Sequence, residues 1–446
     1  MRGVRSLIVL LVIAIPLGWF AWRESKKEPT GDSKKLEKVF DGVESDKVEQ
    51  ITIKSEKGET TTAQKQSGKW QITAPAATAA DDSELSGLAT NLSSLEVQRV
   101  VDEQTSDYKQ YGLQPARIDV TFKAGQKAGH LLIGQKTPTG SDLYAKLADK
   151  PRVFLISSFL DGTFNKSTFD LRDKTVLKID REKVDTVEIA APDHTLNFTK
   201  KGSEWAMTAP VATRADFSAV EGIIGRLNTA QMKALTAPEG GDPKEYGLDK
   251  PAITVHLGAG SAQAGLAIGK SAGEGVVYAK DLSRPMIFTI ESSIADELKK
   301  PADDFRIKDI FDARSFNTTR VEVVRGGQTV AYEKSKAPAK GTEPPKDVWK
   351  QVMPSAKDVD AAKVDALLTA LTNARATSFV DKGTATGLDT PELAVTLKYE
   401  DGAKQEHVTF GRKGTDAFAR RDPDTGAAKI DAATLDAIVK ALDALK

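Results

Sequence analysis

The sequence predicts an α+β protein in which an N-terminal transmembrane helix is followed by three tandem repeats of an antiparallel-sheet-plus-helix domain. Three observations lead to this prediction: an uncharged apolar run near the N-terminus, motifs that recur three times, and alternating apolar stretches around an amphipathic segment in each recurrence. A chain of 446 residues with 40% apolar and 28% charged residues is long enough to form several packed domains.

The apolar run near the N-terminus extends from Leu7 to Trp22 and follows Arg2 and Arg5. A membrane-spanning helix needs about 20 apolar residues, so this run needs its flanks and its interfacial tryptophans to span a bilayer. The alternative is a cleavable signal peptide, but small residues do not stand at both positions of a cleavage site. We therefore predict an uncleaved anchor over residues 1–24, which contacts the membrane through Leu7 to Trp22, and a tether over residues 25–36.

The orientation of this anchor does not follow from charge, because basic residues flank the apolar run on both sides. A short basic tail before an apolar core is typical of an export signal. The sequence therefore predicts that the large C-terminal part lies outside the cytoplasm.

Tryptophan marks the internal repeat, because Trp70, Trp205 and Trp349 are each followed by proline five residues later. Other landmarks recur in nearly the same register: Tyr111-Gly112-Leu113, Tyr246-Gly247-Leu248 and Thr386-Gly387-Leu388; Ile133-Gly134, Ile268-Gly269 and Phe410-Gly411; Tyr144-Ala145-Lys146, Tyr278-Ala279-Lys280 and Phe418-Ala419-Arg420. Self-similarity at this period predicts three repeat domains, over residues 37–170, 171–304 and 305–446.

Each copy is predicted to begin its long helix shortly after the proline. Asp81, Asp216 and Asp360 stand six residues past that proline, where a carboxylate can accept hydrogen bonds from the first backbone amides of a helix. Apolar residues then recur at helical spacing, as at Leu85, Leu88 and Leu92 in the first copy. Alternating stretches, such as residues 118–122, 253–257 and 393–397, predict half-buried strands.

The sequence offers no catalytic, cofactor-binding or metal-binding residues that we can name. Its four histidines share no metal-ligand spacing, so surface strand positions are the better interpretation: His130, His194, His256 and His407. The adjacent acidic pairs Asp81-Asp82 and Asp303-Asp304 are predicted to cap helices or face solvent. The glycines at 326–327 are predicted to form a hairpin turn. The glycine cluster at 258–260 lies between apparent strands and lacks the remaining residues of a phosphate-binding loop. The Trp and Tyr-Gly-Leu motifs are predicted to be structural.

Composition narrows the function further. The chain has 63 basic residues (Lys and Arg) and 63 acidic residues (Asp and Glu), and the two signs are interspersed. The sequence therefore gives no indication of a basic surface that would bind nucleic acid. The chain contains no cysteine, which excludes disulfides, thiolate metal sites and a cysteine nucleophile. We expect no cofactor.

The motifs together resemble a bacterial family known only as a domain of unknown function, DUF4340. The resemblance rests on the segment from Leu171 to Leu177, Trp70 with Pro75, Tyr111-Gly112-Leu113 followed by Pro115, and Ile133-Gly134, with their counterparts in the second copy. The third copy departs from the pattern at Val352, Thr386 and Phe410. The resemblance implies a membrane-anchored protein of the cell envelope, found beside an ABC-type export system, and supplies no catalytic residues.

These observations lead us to expect a non-enzymatic protein, single-pass in the bacterial inner membrane with extracytoplasmic domains, whose tandem repeats bind or scaffold a partner. A membrane transporter complex of the ABC type is the candidate partner that the resemblance implies. Two alternatives stay open: a protein that binds lipid or glycan of the envelope, and a hydrolase with a site assembled between domains.

Overall fold

The computed structural model describes residues 36–56, 58–336, 347–380 and 383–446. Within these ranges the chain forms three nine-stranded antiparallel sheets and one two-stranded sheet. It divides into two compact units, the first ending at Asp173 and the second spanning Lys174–Lys446. The sequence-based domain boundaries at 170/171 and 304/305 stay predictions.

The first unit contains one nine-stranded sheet, the two-stranded sheet and three helices. Its strands are β1 (Glu37–Lys38), β2 (Val48–Lys54), β3 (Thr60–Gln66), β4 (Lys69–Ala74), β5 (Thr78–Ala79), β6 (Glu96–Val97), β7 (Arg99–Asp102), β8 (Ile118–Ala124), β9 (Lys127–Lys136), β10 (Asp142–Leu147) and β11 (Val153–Ser157). Its helices are α1 (Asp82–Ser94), α2 (Leu160–Phe164) and α3 (Thr168–Leu171).

The second unit contains the other two nine-stranded sheets. Its first sheet has strands β12 (Thr186–Ala191), β13 (His194–Lys201), β14 (Glu204–Ala209), β15 (Thr213–Arg214), β16 (Ala234–Ala237), β17 (Ile253–Ala259), β18 (Ala262–Gly273), β19 (Val276–Asp281) and β20 (Ile287–Glu291). The helices associated with it are α4 (Phe217–Asn228), α5 (Pro243–Tyr246) and α6 (Ser292–Leu298).

The last sheet occupies the C-terminal part of the second unit. Its strands are β21 (Thr318–Arg325), β22 (Gln328–Lys336), β23 (Asp347–Met353), β24 (Lys357–Asp358), β25 (Ala376–Val380), β26 (Leu393–Tyr399), β27 (Lys404–Lys413), β28 (Asp416–Arg421) and β29 (Ala427–Ile430). Its helices are α7 (Ala361–Thr372) and α8 (Ala432–Asp443).

All three large sheets have the same strand order. In the first it is β5-β4-β3-β2-β8-β9-β10-β11-β7, and in the others β15-β14-β13-β12-β17-β18-β19-β20-β16 and β24-β23-β22-β21-β26-β27-β28-β29-β25. Two four-stranded meanders therefore meet at the centre of each sheet, and the strand that follows the long helix closes the far edge. This shared order allows each position in one sheet to be matched with a position in the other two.

The long helices begin where the sequence predicts. Asp81 accepts hydrogen bonds from the amides of Ser83 and Glu84, Asp216 from that of Ala219, and Asp360 from that of Ala362. Each carboxylate satisfies amides that have no partner within the helix. Each helix then turns an apolar face toward its sheet, and the predicted stripe of Leu85, Leu88 and Leu92 is buried.

The predicted strands 118–122, 253–257 and 393–397 are also confirmed, and each alternates between buried and exposed or half-buried residues. This alternation divides every sheet into a face covered by the core and a face of polar residues. The polar side will be called the open face.

The predicted fold class is wrong. The described residues form large antiparallel sheets with few helices, whereas the prediction was a transmembrane helix and three α+β domains. The longest described helix has 13 residues and spans about 20 Å, less than the roughly 30 Å of a bilayer core.

In the part of the chain that the structure describes, no helix is long and apolar enough to cross a membrane. This finding contradicts the predicted single-pass location in the bacterial inner membrane with extracytoplasmic domains. The predicted anchor, from Leu7 to Trp22, lies outside the described residues.

Candidate binding surface

The repeated tryptophan is a core anchor in each sheet. Trp70, Trp205 and Trp349 are at most 5% exposed. A lysine from the neighbouring strand lies over each indole ring, with Nζ 5.2–5.3 Å from the ring centroid: Lys65, Lys200 and Lys334. A buried ring capped by a cation fits a structural role, as the sequence predicts.

The indole N–H is satisfied differently in the three sheets. Trp205 Nε1 donates to Glu221 on α4 at 3.0 Å, and Trp349 Nε1 donates to Asp365 on α7 at 3.1 Å. In the first unit Ser86 stands at the matching helix position, and the Nε1–H of Trp70 finds no acceptor among the described residues.

The Tyr-Gly-Leu motif packs directly against the strand-end glycine motif. Gly247 adopts a φ of +68°, which favours glycine, and Gly112 and Gly387 have nearly the same φ. A Cβ added at Gly269 would lie 2.1 Å from the carbonyl oxygen of Tyr246, and the same close approach occurs at Gly134 with Tyr111. These two signature motifs are therefore packing partners, which confirms the structural interpretation.

The remaining motifs also have structural positions. Asp82 accepts a hydrogen bond from the amide of Trp70 at 2.8 Å, and Asp303 faces Arg306 at 3.7 Å. Glycines 260, 326 and 327 have positive φ values in turns between paired strands. Since the repeated motifs stabilise the fold, a binding surface has to be sought among residues that do not contribute to the core or to the turns.

The open face of each sheet meets this condition, and it carries three of the four histidines. In the first sheet His130 on β9 pairs across the ladder with Thr121 on β8. In the third sheet His407 on β27 pairs with Thr396 on β26. In the second sheet the matching positions hold Gly265 on β18 and His256 on β17, so the histidine lies on the other strand of the same pair.

Gly265 makes room for this exchange. A Cβ at Gly265 would lie 3.0 Å from Nδ1 of His256 and 2.7 Å from a methyl carbon of Leu282. One imidazole therefore occupies the same cross-strand site in all three sheets. The chain contains only four histidines, so three at one site are not readily explained by random placement.

Each of these histidines has polar neighbours. His130 Nε2 and Asp119 Oδ1 lie 2.8 Å apart, and His407 Nδ1 lies 3.0 Å from the hydroxyl of Thr396. His256 stands directly opposite Glu188 on the adjacent strand. The fourth histidine, His194, lies at the start of β13 opposite Ala191 and outside this site.

Grooves lie beside this histidine site in two of the sheets. A groove of about 480 Å³ in the second sheet is lined by Glu188, Asn197, Thr199 and His256 among others. A groove of about 630 Å³ in the first unit includes His130. Both volumes fall in the range of ligand-binding clefts.

A charged cluster connects the two sheets of the second unit. Arg214 on β15 pairs with Asp312 and donates to the carbonyl oxygen of Asp309 at 2.7 Å. Asp312 also accepts from Arg421 at 3.0 Å, and Arg421 Nε donates to Glu406 at 3.2 Å.

The deepest member of this cluster is Glu406, whose side chain is fully buried. Burial and the nearby charge of Glu406 raise the pKa of Tyr399, which hydrogen-bonds to it. The cavity here is only about 20 Å³, so the charged cluster is tightly packed and has no room for a substrate.

Across the described ranges, no group of three or more His, Asp or Glu side chains is arranged to hold a metal ion. The histidine site itself brings one imidazole beside one carboxylate or hydroxyl. Such a site can donate and accept hydrogen bonds and is suited to recognition.

The fold and its surface define a protein built from nine-stranded antiparallel sheets, each with a helix-covered face and a polar face. The family model described as "Domain of unknown function (DUF4340)" matches residues 70–206 and again 205–389. The chain belongs to this family, as the sequence motifs predicted, and contains two tandem matches to it.

Comparison with known proteins adds little to this assignment. No curated protein matches the chain. Among solved structures, a DNA polymerase sliding clamp from Pseudomonas aeruginosa is 7% identical over 87% of this chain and 92% of its own, with a TM-score of 0.16. The same clamp with ligand is 8% identical over 90% and 94%, also with a TM-score of 0.16. Similarity this low carries no inference about fold or function.

Proposed function

We propose that this chain is a non-enzymatic binding protein that holds a protein partner through the open faces of its sheets. The observation that carries the proposal is the histidine at the same cross-strand site of all three sheets. Repeated weak contacts add strongly when they belong to one chain, since the second and third contacts form at high effective concentration.

The type of partner follows from the surface. The site offers imidazole, hydroxyl and carboxylate groups on a broad face, which suits the polar and wet contacts of a protein interface. The partner implied by the family resemblance, a component of an ABC-type transport system, is part of this proposal.

The test is quantitative affinity purification with three forms of the full chain. The first is the natural chain, the second carries His130→Asn, His256→Asn and His407→Asn, and the third carries His194→Asn as the matched control. We expect a stoichiometric partner to be retained by the natural chain and by the control and lost from the triple variant.

Thermal unfolding of each form separates a binding defect from a folding defect. Equal recovery of the partner by the triple variant and the natural chain would show that the histidine site is not the contact. Recovery of transport-system subunits would support the accessory role, and a different stoichiometric partner would remove it.

A further inference from the structure

The groove of about 480 Å³ in the second sheet is lined by a row of short residues. Thr186 on β12 pairs with Thr199 on β13 and with Gly258 on β17. A Cβ added at Gly258 would lie 2.2 Å from the hydroxyl oxygen of Thr186, so this hydroxyl lies directly over the glycine. The open face of the second sheet is therefore hollow along this row.

The third sheet has long charged side chains in the same row. Arg320 on β21 pairs with Glu333 on β22 and with Lys398 on β26. Its guanidinium donates to Glu333 at 2.7 Å and to Glu322, two residues further along β21, at 3.1 Å. One guanidinium thus bonds to two carboxylates on the open face of the third sheet.

The first sheet has long side chains in this row as well. Gln50 on β2 pairs with Gln64 on β3 and with Lys123 on β8. The amide of Gln64 donates to the side-chain oxygen of Gln50 at 3.3 Å. Two of the three sheets therefore connect this row through side-chain hydrogen bonds, whereas the second sheet has a groove there.

Glu188 in the second sheet has the position of Glu322 in the third. It stands between Asn197 on β13 and His256 on β17. No ion pair or hydrogen bond joins its side chain to another described residue. Thr186 stands where the third sheet has Arg320, so the second sheet keeps the carboxylate and lacks the guanidinium.

The charge of the groove favours a cation. Among the described residues that line it, Glu188 carries the one formal charge when His256 is neutral. A second carboxylate lies nearby, since Asp185 Oδ1 is 3.8 Å from the position of a Cβ at Gly258. The other oxygen of Asp185 accepts a hydrogen bond from the amide of Gly260 at 3.2 Å. The groove therefore attracts positive charge from outside the sheet.

We propose that this groove binds an arginine side chain of the partner protein, whose guanidinium takes beside Glu188 the place that the Arg320 guanidinium has beside Glu322. The hydroxyl of Thr199, at the position of Glu333, accepts a further hydrogen bond. A guanidinium presents several N–H donors in one plane and can bond a carboxylate through two of them, which an ammonium cannot do. The inference rests on the proposed partner-binding function and adds the chemical group that the partner supplies beside His256.

The first experiment is a ligand-observed NMR titration of the full chain with Nα-acetyl-arginine amide as the probe. Nα-acetyl-citrulline amide has nearly the same shape without the charge, and Nα-acetyl-lysine amide has the charge without the planar group. We expect the arginine probe to bind with a Kd on the order of 1 mM, and the other two about threefold or more weakly. The absence of arginine-probe binding, or equal binding of the citrulline probe, would overturn the proposal.

Two variants locate the site. Glu188→Gln removes the carboxylate, and Thr186→Arg supplies a guanidinium from the chain itself, as in the third sheet. Each should weaken arginine-probe binding about threefold or more. Glu322→Gln on β21 and Thr60→Arg at an exposed position of β3 are the matched controls and should leave binding unchanged. Thermal unfolding checks that each variant is folded, and unchanged binding in both site variants would contradict the assignment.

The variant Arg320→Thr is the reciprocal test. It removes the guanidinium of the third sheet and leaves Glu322 and Glu333 without it, so the third sheet should gain a site of the same kind. We expect total binding of the arginine probe to increase. An unchanged NMR signal from the folded variant would show that the comparison between the two sheets does not hold.

Recovery of the partner separates this inference from the proposed function. Glu188→Gln and Thr186→Arg keep all four histidines, and each should reduce recovery of the partner in the same affinity purification. If the histidine triple variant loses the partner while these two variants retain it fully, the proposed function stands and the arginine assignment is overturned. Probe binding that depends on Glu188, together with partner recovery that does not depend on the histidines, would support the guanidinium site and remove the proposed function.

Discussion

At the scale of single residues, the three buried tryptophans show how one anchor can be completed in different ways. Trp205 and Trp349 donate to a helix carboxylate, whereas the Nε1–H of Trp70 has no acceptor in the described residues. A buried donor that loses its acceptor costs about 1–3 kcal/mol. The second and third sheets therefore depend on a carboxylate that the first does not have.

We expect Glu221→Ala to lower the free energy of unfolding of the second unit by about 1–3 kcal/mol, because it removes the acceptor of Trp205 and the ion-pair partner of Lys200. Ser86→Ala at the matching position of the first unit is the control and should change stability by less than about 0.5 kcal/mol. Urea unfolding measures both. Equal effects would show that the indole hydrogen bond does not contribute.

The pH dependence of this effect has a defined sign. Burial alone would raise the pKa of Glu221, but hydrogen bonds from Lys200 and Trp205 outweigh it and hold the pKa below its ordinary value of 4.5. A carboxyl whose pKa is lower in the folded state stabilises the protein above the unfolded pKa and loses that contribution as pH falls through the folded pKa. The difference between natural chain and Glu221→Ala should therefore shrink below about pH 4.5.

At the scale of elements, the turn before β17 and the part of β18 that packs against it constrain each other's sequence. Gly247 turns the chain with a positive φ, and Gly269 allows the Tyr246 carbonyl to approach β18. The two tyrosines of the second copy, Tyr246 and Tyr278, then pack edge to face with ring centroids 5.0 Å apart. The close approach at the strand glycine, which Gly134, Gly269 and Gly411 share, explains why the two motifs recur together along the chain.

Gly269→Ala should destabilise the second unit by about 1–3 kcal/mol, because the added methyl would overlap a backbone oxygen. Gly222→Ala is the matched control in the same unit. It lies within α4 with nothing near its added Cβ, so it should stabilise the helix by about 0.5–1 kcal/mol. Opposite signs in urea unfolding are the expected result, and a loss of stability in both variants would contradict it.

Elements with a local cause could be predicted from the sequence. The helix starts at Asp81, Asp216 and Asp360 follow from capping chemistry, and the central strands follow from alternation. The nine-stranded sheets did not follow, because short edge strands such as Thr78–Ala79 have no periodicity of their own and depend on pairing with a neighbour.

At the scale of the whole molecule, the charged cluster formed by Arg214, Asp312, Arg421 and Glu406 connects the two sheets of the second unit. Arg421 connects Asp312 to the fully buried Glu406, so it neutralises charge that has little access to water. This charged cluster could not be predicted from the sequence, because its members lie far apart along the chain. Its signal was a set of charged residues without counterparts in the second copy, where Leu177 and Ala264 stand at the positions of Asp312 and Glu406.

Arg421→Met should lower the unfolding free energy of the second unit by about 3–5 kcal/mol, because it leaves Glu406 buried without its guanidinium partner. Arg325→Met breaks the partly exposed pair with Asp443 and is the control, with an expected cost of at most about 1 kcal/mol. Differential scanning calorimetry of the full chain compares the two. A comparably small loss of unfolding free energy in both variants would show that the charged cluster adds little stability.

The histidine site was invisible to residue-by-residue comparison of the copies. His130 and His407 align with Gly265, so the second copy shows no histidine when only this alignment column is inspected. The structure shows that the imidazole has moved to the partner strand, at His256, and that the glycine accommodates it. We therefore expect relatives of this family to carry one histidine at either position of this cross-strand pair, and an alignment should be searched for it in both columns.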